Sequence, residues 1–414
     1  MTVAPGRGAS SPGLVRVAVD GHGGWRPVQA IVTDPMGRGG LRDRLPPGLL
    51  ELVRSKYKPG RKLTAYYRAA GPADEGAGEN VAVSWLVDGQ VRVLRSPADP
   101  SMPQLARLSN PATLATLLET FTGPSYSRPV VRAVRYRPGQ RHVLVAQGPR
   151  GPAVYVKTDR DDSGARAVPA ARFFAAALER RSISARVAEP LGHASQERAS
   201  LWWQAPGRPA TALVAKGRTA APVAALAGRV ARVIHDSPTA GTAPDALGLH
   251  DVQAEAAAAL RAGEHITALL PAVGRTYRGL VGVVLDELDR LPGEPVTLVH
   301  GDLKADNLLV DGDLLSVLDL DRVRWAEPAL DLGKFLADLC WWSPAADAAA
   351  LQEAFRAGYG ACDPVRWARA ELLAALFLLE LAARRAVLHD GGWQLVVRGR
   401  VLRAVDTFSL ARSR

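Results

Sequence analysis

Lysine is nearly missing from this chain: of 52 basic residues among 414 positions only Lys56, Lys58, Lys62, Lys157, Lys216, Lys304 and Lys334 are lysine, leaving 45 arginines. Such a bias reflects base composition more than chemistry, but it makes each lysine informative. Cysteine is scarcer still. Cys340 and Cys362 have neither metal-ligand spacing nor the density of a disulfide framework, which fits a reducing cytoplasm. Long apolar runs are absent too: Leu372 to Leu379 is bounded by Glu371 and Glu380, too short for a bilayer, and reads as a core helix. The first residues, Met1 to Gly8, hold no apolar signal core. No membrane partner is expected. Nor is a nucleic-acid partner, because the net charge of +11 is carried by dispersed arginines with no basic run interleaved with aromatics.

What is present is an ordinary globular composition, 47% hydrophobic and 22% charged, in a chain long enough for two or three units. Residues 1–14, rich in Gly, Pro and Ser, are expected to be disordered. Residues 15–121 read as a small N-terminal module of mixed α and β structure. Alternation predicts strands over 15–19, 28–32 and 81–85, the Pro pair at 46–47 opens an expected helix to Lys56, and Asn110-Pro111 opens another to Phe121. The boundary falls near Thr122-Gly123-Pro124. Beyond it come strands 130–137, 142–147 and 153–157, then a helix over about 168–181. Val53 to Lys62 also resembles Val131 to Arg141 in pattern, each a strand running into a Pro-Gly turn.

The chemistry is concentrated in Val299-His300-Gly301-Asp302-Leu303-Lys304-Ala305-Asp306-Asn307-Leu308-Leu309 and in Leu318-Asp319-Leu320-Asp321. Phosphoryl transfer needs a carboxylate for the acceptor proton, oxygen ligands for magnesium, and cations for the phosphate charge. Asp302 is the candidate base, and Asn307 follows at the offset found in kinase catalytic loops. Lys304 is placed to meet the transferring phosphate. Val310-Asp311-Gly312-Asp313 between apolar runs is a hairpin signal that returns Asp319 to the neighbourhood of Asn307. Asn307 and Asp319 are thus the candidate Mg2+ ligands, with nucleotide phosphates and waters completing the shell.

These motifs, with Pro328-Ala329-Leu330-Asp331-Leu332, resemble those of the aminoglycoside phosphotransferase family, whose fold is similar to that of protein kinases. The resemblance implies an α+β, two-lobed kinase-like fold behind the N-terminal module. Residues 122–204 would form a small, mainly antiparallel β N-lobe and residues 205–414 a helical C-lobe. It places Lys157 as the third-strand lysine on the α/β-phosphates of ATP, backbone groups of Gln204 and Ala205 at the adenine, and Asp331 as a brace for the catalytic loop. The turn over the phosphates is poor in glycine, so Arg137, Arg141 and backbone N–H groups would do that work. Glu179, the one acid on the helix after Lys157, lies too late to pair with it in the family manner. Trp341, Trp342, Glu380, Arg384, Arg385, His389 and Asp390 are candidates for the acceptor pocket.

The expected activity is ATP- and magnesium-dependent transfer to a hydroxyl of a small molecule, a sugar, an aminoglycoside or a related metabolite. Two alternatives stay open: a kinase-like binding or partner protein with little transfer activity, and a kinase of peptide or protein hydroxyls.

Overall fold

The computed structural model describes residues 25–37, 41, 44–45, 50–69, 80–149, 151–237, 247–343 and 345–413. The disordered stretch and the strand expected over 1–14 and 15–19 lie outside the described residues.

The chain opens with α1 (Trp25–Thr33) and an antiparallel sheet in sequential order, β1 (Leu50–Lys58), β2 (Lys62–Ala69), β3 (Asn80–Leu86) and β4 (Val91–Arg95). Two expectations change here. The stretch 28–32 is helical rather than extended, because Val28, Ile31 and Val32 sit at helical spacing and bury one face. The stretch to Lys56 is strand β1, its alternation burying Ser55 and Tyr57 while Arg54 and Lys56 face outward.

Short helices α2 (Gln104–Leu108) and α3 (Pro111–Thr122) follow, the latter capped by Asn110, whose side chain accepts from the Ala112 and Thr113 N–H groups. Leu114 and Leu118 of α3 pack with Leu144, Val156 and Leu201 of the next sheet. That sheet holds β5 (Val130–Arg137), β6 (Arg141–Gln147), β7 (Val154–Asp159), β9 (Pro190–Ala194) and β10 (Ala199–Trp203), in the order β5-β6-β7-β10-β9. Helix α4 (Ala167–Arg180) and strand β8 (Ala185–Val187) lie between β7 and β9. The two hairpins with similar sequences close alike: Gly60 and Gly139 take φ of 63° and 62°, between pairs Lys58–Lys62 and Arg137–Arg141.

From β11 (Arg208–Pro209) onward the chain is mostly helical: α5 (Thr211–Val214), α6 (Ala221–His235), α7 (Val252–Leu269) and α8 (Pro271–Arg290). The strands β12 (Thr297–Val299), β13 (Leu308–Asp311), β14 (Leu314–Val317) and β15 (Arg324–Ala326) precede α9 (Ala329–Trp342), α10 (Ala345–Tyr359), α11 (Pro364–Arg384) and α12 (Trp393–Arg412). Helix α11, apolar nearly all round, lies against α7, α8, α9 and α12 and forms the centre of this lobe. It is the core helix expected from its apolar run. Among the described residues no helix is long and apolar enough to cross a membrane.

Candidate active site

The β13–β14 hairpin closes at Gly312, whose φ of 58° suits the glycine that the turn carries. Beyond the last ladder pair, Leu308–Val317, the Leu318 N–H donates to the Asn307 carbonyl at 2.9 Å. Asn307 and Asp319 are thereby held on adjacent segments, and Asp319 sits in the left-handed region at φ 61°, a conformation aspartate tolerates better than most residues. Gly301 has φ 75° and lies so close to the Arg322 carbonyl that a Cβ would stand 2.1 Å from its oxygen. Only glycine fits between His300 and Asp302.

Asp302 is 9% exposed and meets three side chains. Lys304 Nζ donates to its Oδ2 at 2.7 Å, Asn307 Nδ2 approaches the same oxygen at 3.3 Å while donating to the Asp302 carbonyl at 2.9 Å, and Lys334 Nζ stands 3.2 Å from Oδ1. Burial alone would raise the Asp302 carboxyl. Lys334 and Lys304 outweigh it and hold the group well below the usual carboxylate range.

The loop is braced from behind. Asp331, 1% exposed, accepts from the His300 N–H at 2.6 Å and the Gly301 N–H at 2.9 Å, with His235 Nε2 at 3.4 Å. Burial opposes its charge, but the His235 and His300 contacts win and lower its carboxyl. His300 is fully buried; its Nδ1 accepts from the Asp302 N–H at 3.3 Å, so Nε2 carries the proton donated to the Leu318 carbonyl at 3.0 Å. One imidazole thus ties the loop to the segment bearing Asp319.

Across the cleft, Lys157 on β7 pairs with Asp319 Oδ1 at 2.7 Å and with Asp321 at 2.9 and 3.1 Å. Arg141, opening β6, meets Asp321 Oδ2 at 2.6 Å and Asp159 at 2.5 Å. Burial works against charge on both loop aspartates. Lys157 tips the balance for Asp319 and holds it low, whereas burial and the neighbouring Asp319 charge push Asp321 up. Glu179 is exposed at the end of α4, so the acid that Lys157 finds comes from the loop after β14 rather than from the helix.

The turn over this cleft corrects one expectation. Its backbone N–H groups are already spent: Gly139 N–H donates to Asp99 Oδ2 at 2.6 Å and Gln140 N–H to the Arg137 carbonyl at 3.0 Å. Tyr136 Oη donates to the same Asp99 oxygen at 2.8 Å. Asp99 belongs to the segment after β4, which therefore pins the turn. At the far end of the sheet the Gln204 N–H donates to the Ala153 carbonyl at 2.8 Å, and Ala205 follows where the two lobes join.

A profile of the phosphotransferase enzyme family matches residues 135–372, more than half of the chain, from β5 into α11. The chain belongs to that family. Similar solved structures include a choline/ethanolamine kinase family protein from Mesorhizobium loti, 18% identical over 75% of this chain and 96% of that one, with TM-score 0.50. A macrolide 2'-phosphotransferase from Brachybacterium faecium is 16% identical over 70% and 97%, at TM-score 0.44. A spectinomycin phosphotransferase in complex with ADP and spectinomycin is 13% identical over 73% and 98%, at TM-score 0.49. No curated protein sequence matches. The phosphotransferase has the kinase-like arrangement expected from its sequence, an antiparallel sheet lobe and a helical lobe behind a mixed N-terminal region.

Three contacts of the phosphotransferase were missed in its sequence. Lys334 on α9 reaches Asp302, and the scarcity of lysine was the signal that could have marked it. Asp338, one turn on, accepts from the Ala305 N–H at 2.7 Å, and burial pushes its carboxyl up to about 6. Arg385 pairs with Asp306 at 2.7 Å and stacks over Trp342, its guanidinium 4.6 Å from the ring centroid. Of the residues named for the acceptor pocket, Arg385, Trp341 and Trp342 stand beside the loop. Glu380 is buried against Arg384, and His389 meets Ser55 of β1.

Proposed function

We propose that this phosphotransferase moves the γ-phosphate of ATP, with magnesium, to a hydroxyl of a small molecule. The observation that carries the reading is the hairpin closure that sets Asn307 beside Asp319 while the Asn307 amide reaches Asp302. Asn307 spends its Nδ2 on Asp302, so its Oδ1 is the atom left for a hard cation, and Asp319 adds a carboxylate 35% exposed to solvent. This all-oxygen pair fits a cation shared with nucleotide phosphates and water rather than a protein cage, and no cluster of three or more metal-ligating side chains occurs among the described residues. Bound there, magnesium would offset the charge that develops on the β/γ-bridging oxygen.

The remaining roles follow from the contacts. Asp302, kept ionised by its two lysines, is a weak base. It suits a loose transition state in which the acceptor hydroxyl is oriented first and loses its proton late. Lys304, paired with Asp302 at 2.7 Å, would meet the phosphate being transferred. Lys157 serves the α/β-phosphates, with Arg141 behind it, and Asp321 holds both cations in place. The Gln204 carbonyl and the Ala205 backbone are assigned to the adenine.

The test is magnesium-dependent release of ADP by the wild type beside Asp302→Ala and Asp319→Ala, with a panel of hydroxylated acceptors. Loss of 10²-fold or more in both variants, on a rate raised by one acceptor, is expected. Variants that match the wild type with every acceptor would remove the reading.

A further inference from the structure

A second group of charges borders this site, and the proposed chemistry does not use it. On β1, Arg54 and Lys56 stand opposite Tyr66 and Thr64 of β2, so they share the sheet face turned away from buried Ser55 and Tyr57. The β1 edge is fastened to the helical lobe. Arg54 Nη2 donates to the Arg384 carbonyl at 3.0 Å, and Gln29 of α1 donates to the His389 carbonyl at 3.0 Å. Arg135 and Arg137 lie at the end of β5, the latter paired in the ladder with Arg141, which grips Asp321. Two strands, β1 and β5, therefore bring cations to one bay at the edge of the catalytic site, close enough to act on one another.

Among the described residues no carboxylate forms an ion pair with Arg54, Lys56, Arg135 or Arg137. Their mutual field is visible in their acidities. Burial, then Lys58, Arg54, Arg384 and Arg137, bring Lys56 down to about 8; burial, then Arg135, Arg141 and Arg54, bring Arg137 down to about 10. Asp319 and Asp306 act on Arg135 in the opposite sense, which places the bay within electrostatic reach of the catalytic carboxylates. Yet Arg54, Lys56 and Arg135 are open to solvent. Like charges gathered in an accessible place and left without carboxylate partners raise the local concentration of an anion. Guanidinium groups suit a phosphate or carboxylate in particular.

We infer that the bay formed by Arg54, Lys56, Arg135 and Arg137 binds an oxyanion on the acceptor, so that the substrate is a hydroxylated molecule already carrying a phosphate or carboxylate group. The inference rests on the phosphotransferase reading above. In the step, the acceptor oxygen forms a bond to the γ-phosphorus as the bond from that phosphorus to the β/γ-bridging oxygen breaks. ADP keeps the electron pair, and the hydroxyl proton passes to Asp302 and then to solvent.

The experiment uses the full chain saturated with ADP and magnesium, so that the nucleotide phosphates are already in place. Calorimetry then compares glucose, glucosamine, glucose 6-phosphate and gluconate. At least one anion is expected to bind ten-fold or more tightly than glucose and glucosamine, phosphate and carboxylate being separated by the two anionic probes. The gain should vanish in Lys56→Met/Arg135→Met and persist in the charge-keeping Lys56→Arg/Arg135→Lys. Equal binding of all four probes, a preference for glucosamine, or anion binding unchanged in the Met pair would overturn the inference. A ten-fold loss of ADP affinity in the Met pair would do so too, by assigning the bay to the nucleotide. Because binding is read without turnover, an inactive wild type would fail the phosphotransferase reading alone.

Discussion

Two groups of cations lie within the same cleft and differ in one respect. Lys157, Lys304, Lys334, Arg141 and Arg385 each hold a carboxylate at 3.2 Å or less. Arg54, Lys56, Arg135 and Arg137 hold none among the described residues. A paired, half-buried charge has its position set by its partner, and its worth is geometric; removing the partner is costly because the charge left behind stays desolvated. An unpaired, accessible cation gains nothing from its neighbours and exerts its field outward. The paired group is therefore read as machinery, and the unpaired group as a receptor for something the chain does not itself supply.

Breaking the paired region at its buried root should have the largest effect. Asp331, itself 1% exposed, accepts two backbone N–H groups. In Asp331→Ala the His300 and Gly301 donors are orphaned, at about 1–3 kcal/mol each. A loss of about 3 kcal/mol is expected in urea unfolding, with turnover lost as the loop slackens. Stability within about 0.5 kcal/mol of the wild type would mean that the brace is dispensable.

A smaller change sharpens the comparison by loosening one pair without touching the base. Asp321→Asn leaves Lys157 and Arg141 with Asp319 and Asp159 but removes the carboxylate they share. We expect kcat/KM for ATP to fall about 10- to 100-fold, mostly through KM, because an unanchored lysine meets the phosphates less often. Asp321→Glu should restore part of it. An unchanged KM for ATP in Asp321→Asn would show that Asp319 alone positions Lys157.

These contrasts also explain what could be seen in the sequence. The catalytic loop was legible because its chemistry is local: Asp302 and Asn307 are five residues apart, and Asp311-Gly312 announces the turn that returns the chain to Asp319. The strands and helices from residue 130 onward were legible by period. The N-terminal region was misread where two periods overlap, since Val28, Ala30 and Val32 satisfy alternation while Val28, Ile31 and Val32 form a helical face. The grip of Asp321 on Lys157 spans 164 residues, and that of Lys334 on Asp302 joins a helix to a loop. Contacts of that kind depend on how elements meet in three dimensions, which no spacing records. The bay is the extreme case, assembled from β1 and β5, with β1 tied to the end of α11 through the Arg384 carbonyl.

Its titration supplies the smallest and most specific test. Lys56 faces Lys58 and Arg54 on its own strand, Arg137 on β5, Arg384 at the end of α11 and His265 on α7. Burial and the surrounding cations favour its neutral amine, so its ionisation is brought down to about 8. The direction follows directly: below that pH the ammonium is present and attracts an oxyanion, and above it the charge is lost. Between pH 7 and 9 the affinity for whichever anionic probe binds should fall by a few fold, while glucose binding stays level. Lys56→Arg, which keeps its charge throughout this range, should abolish the slope without abolishing binding. A slope that survives the substitution would place the titrating group outside the bay and leave Lys56 as an ordinary exposed lysine.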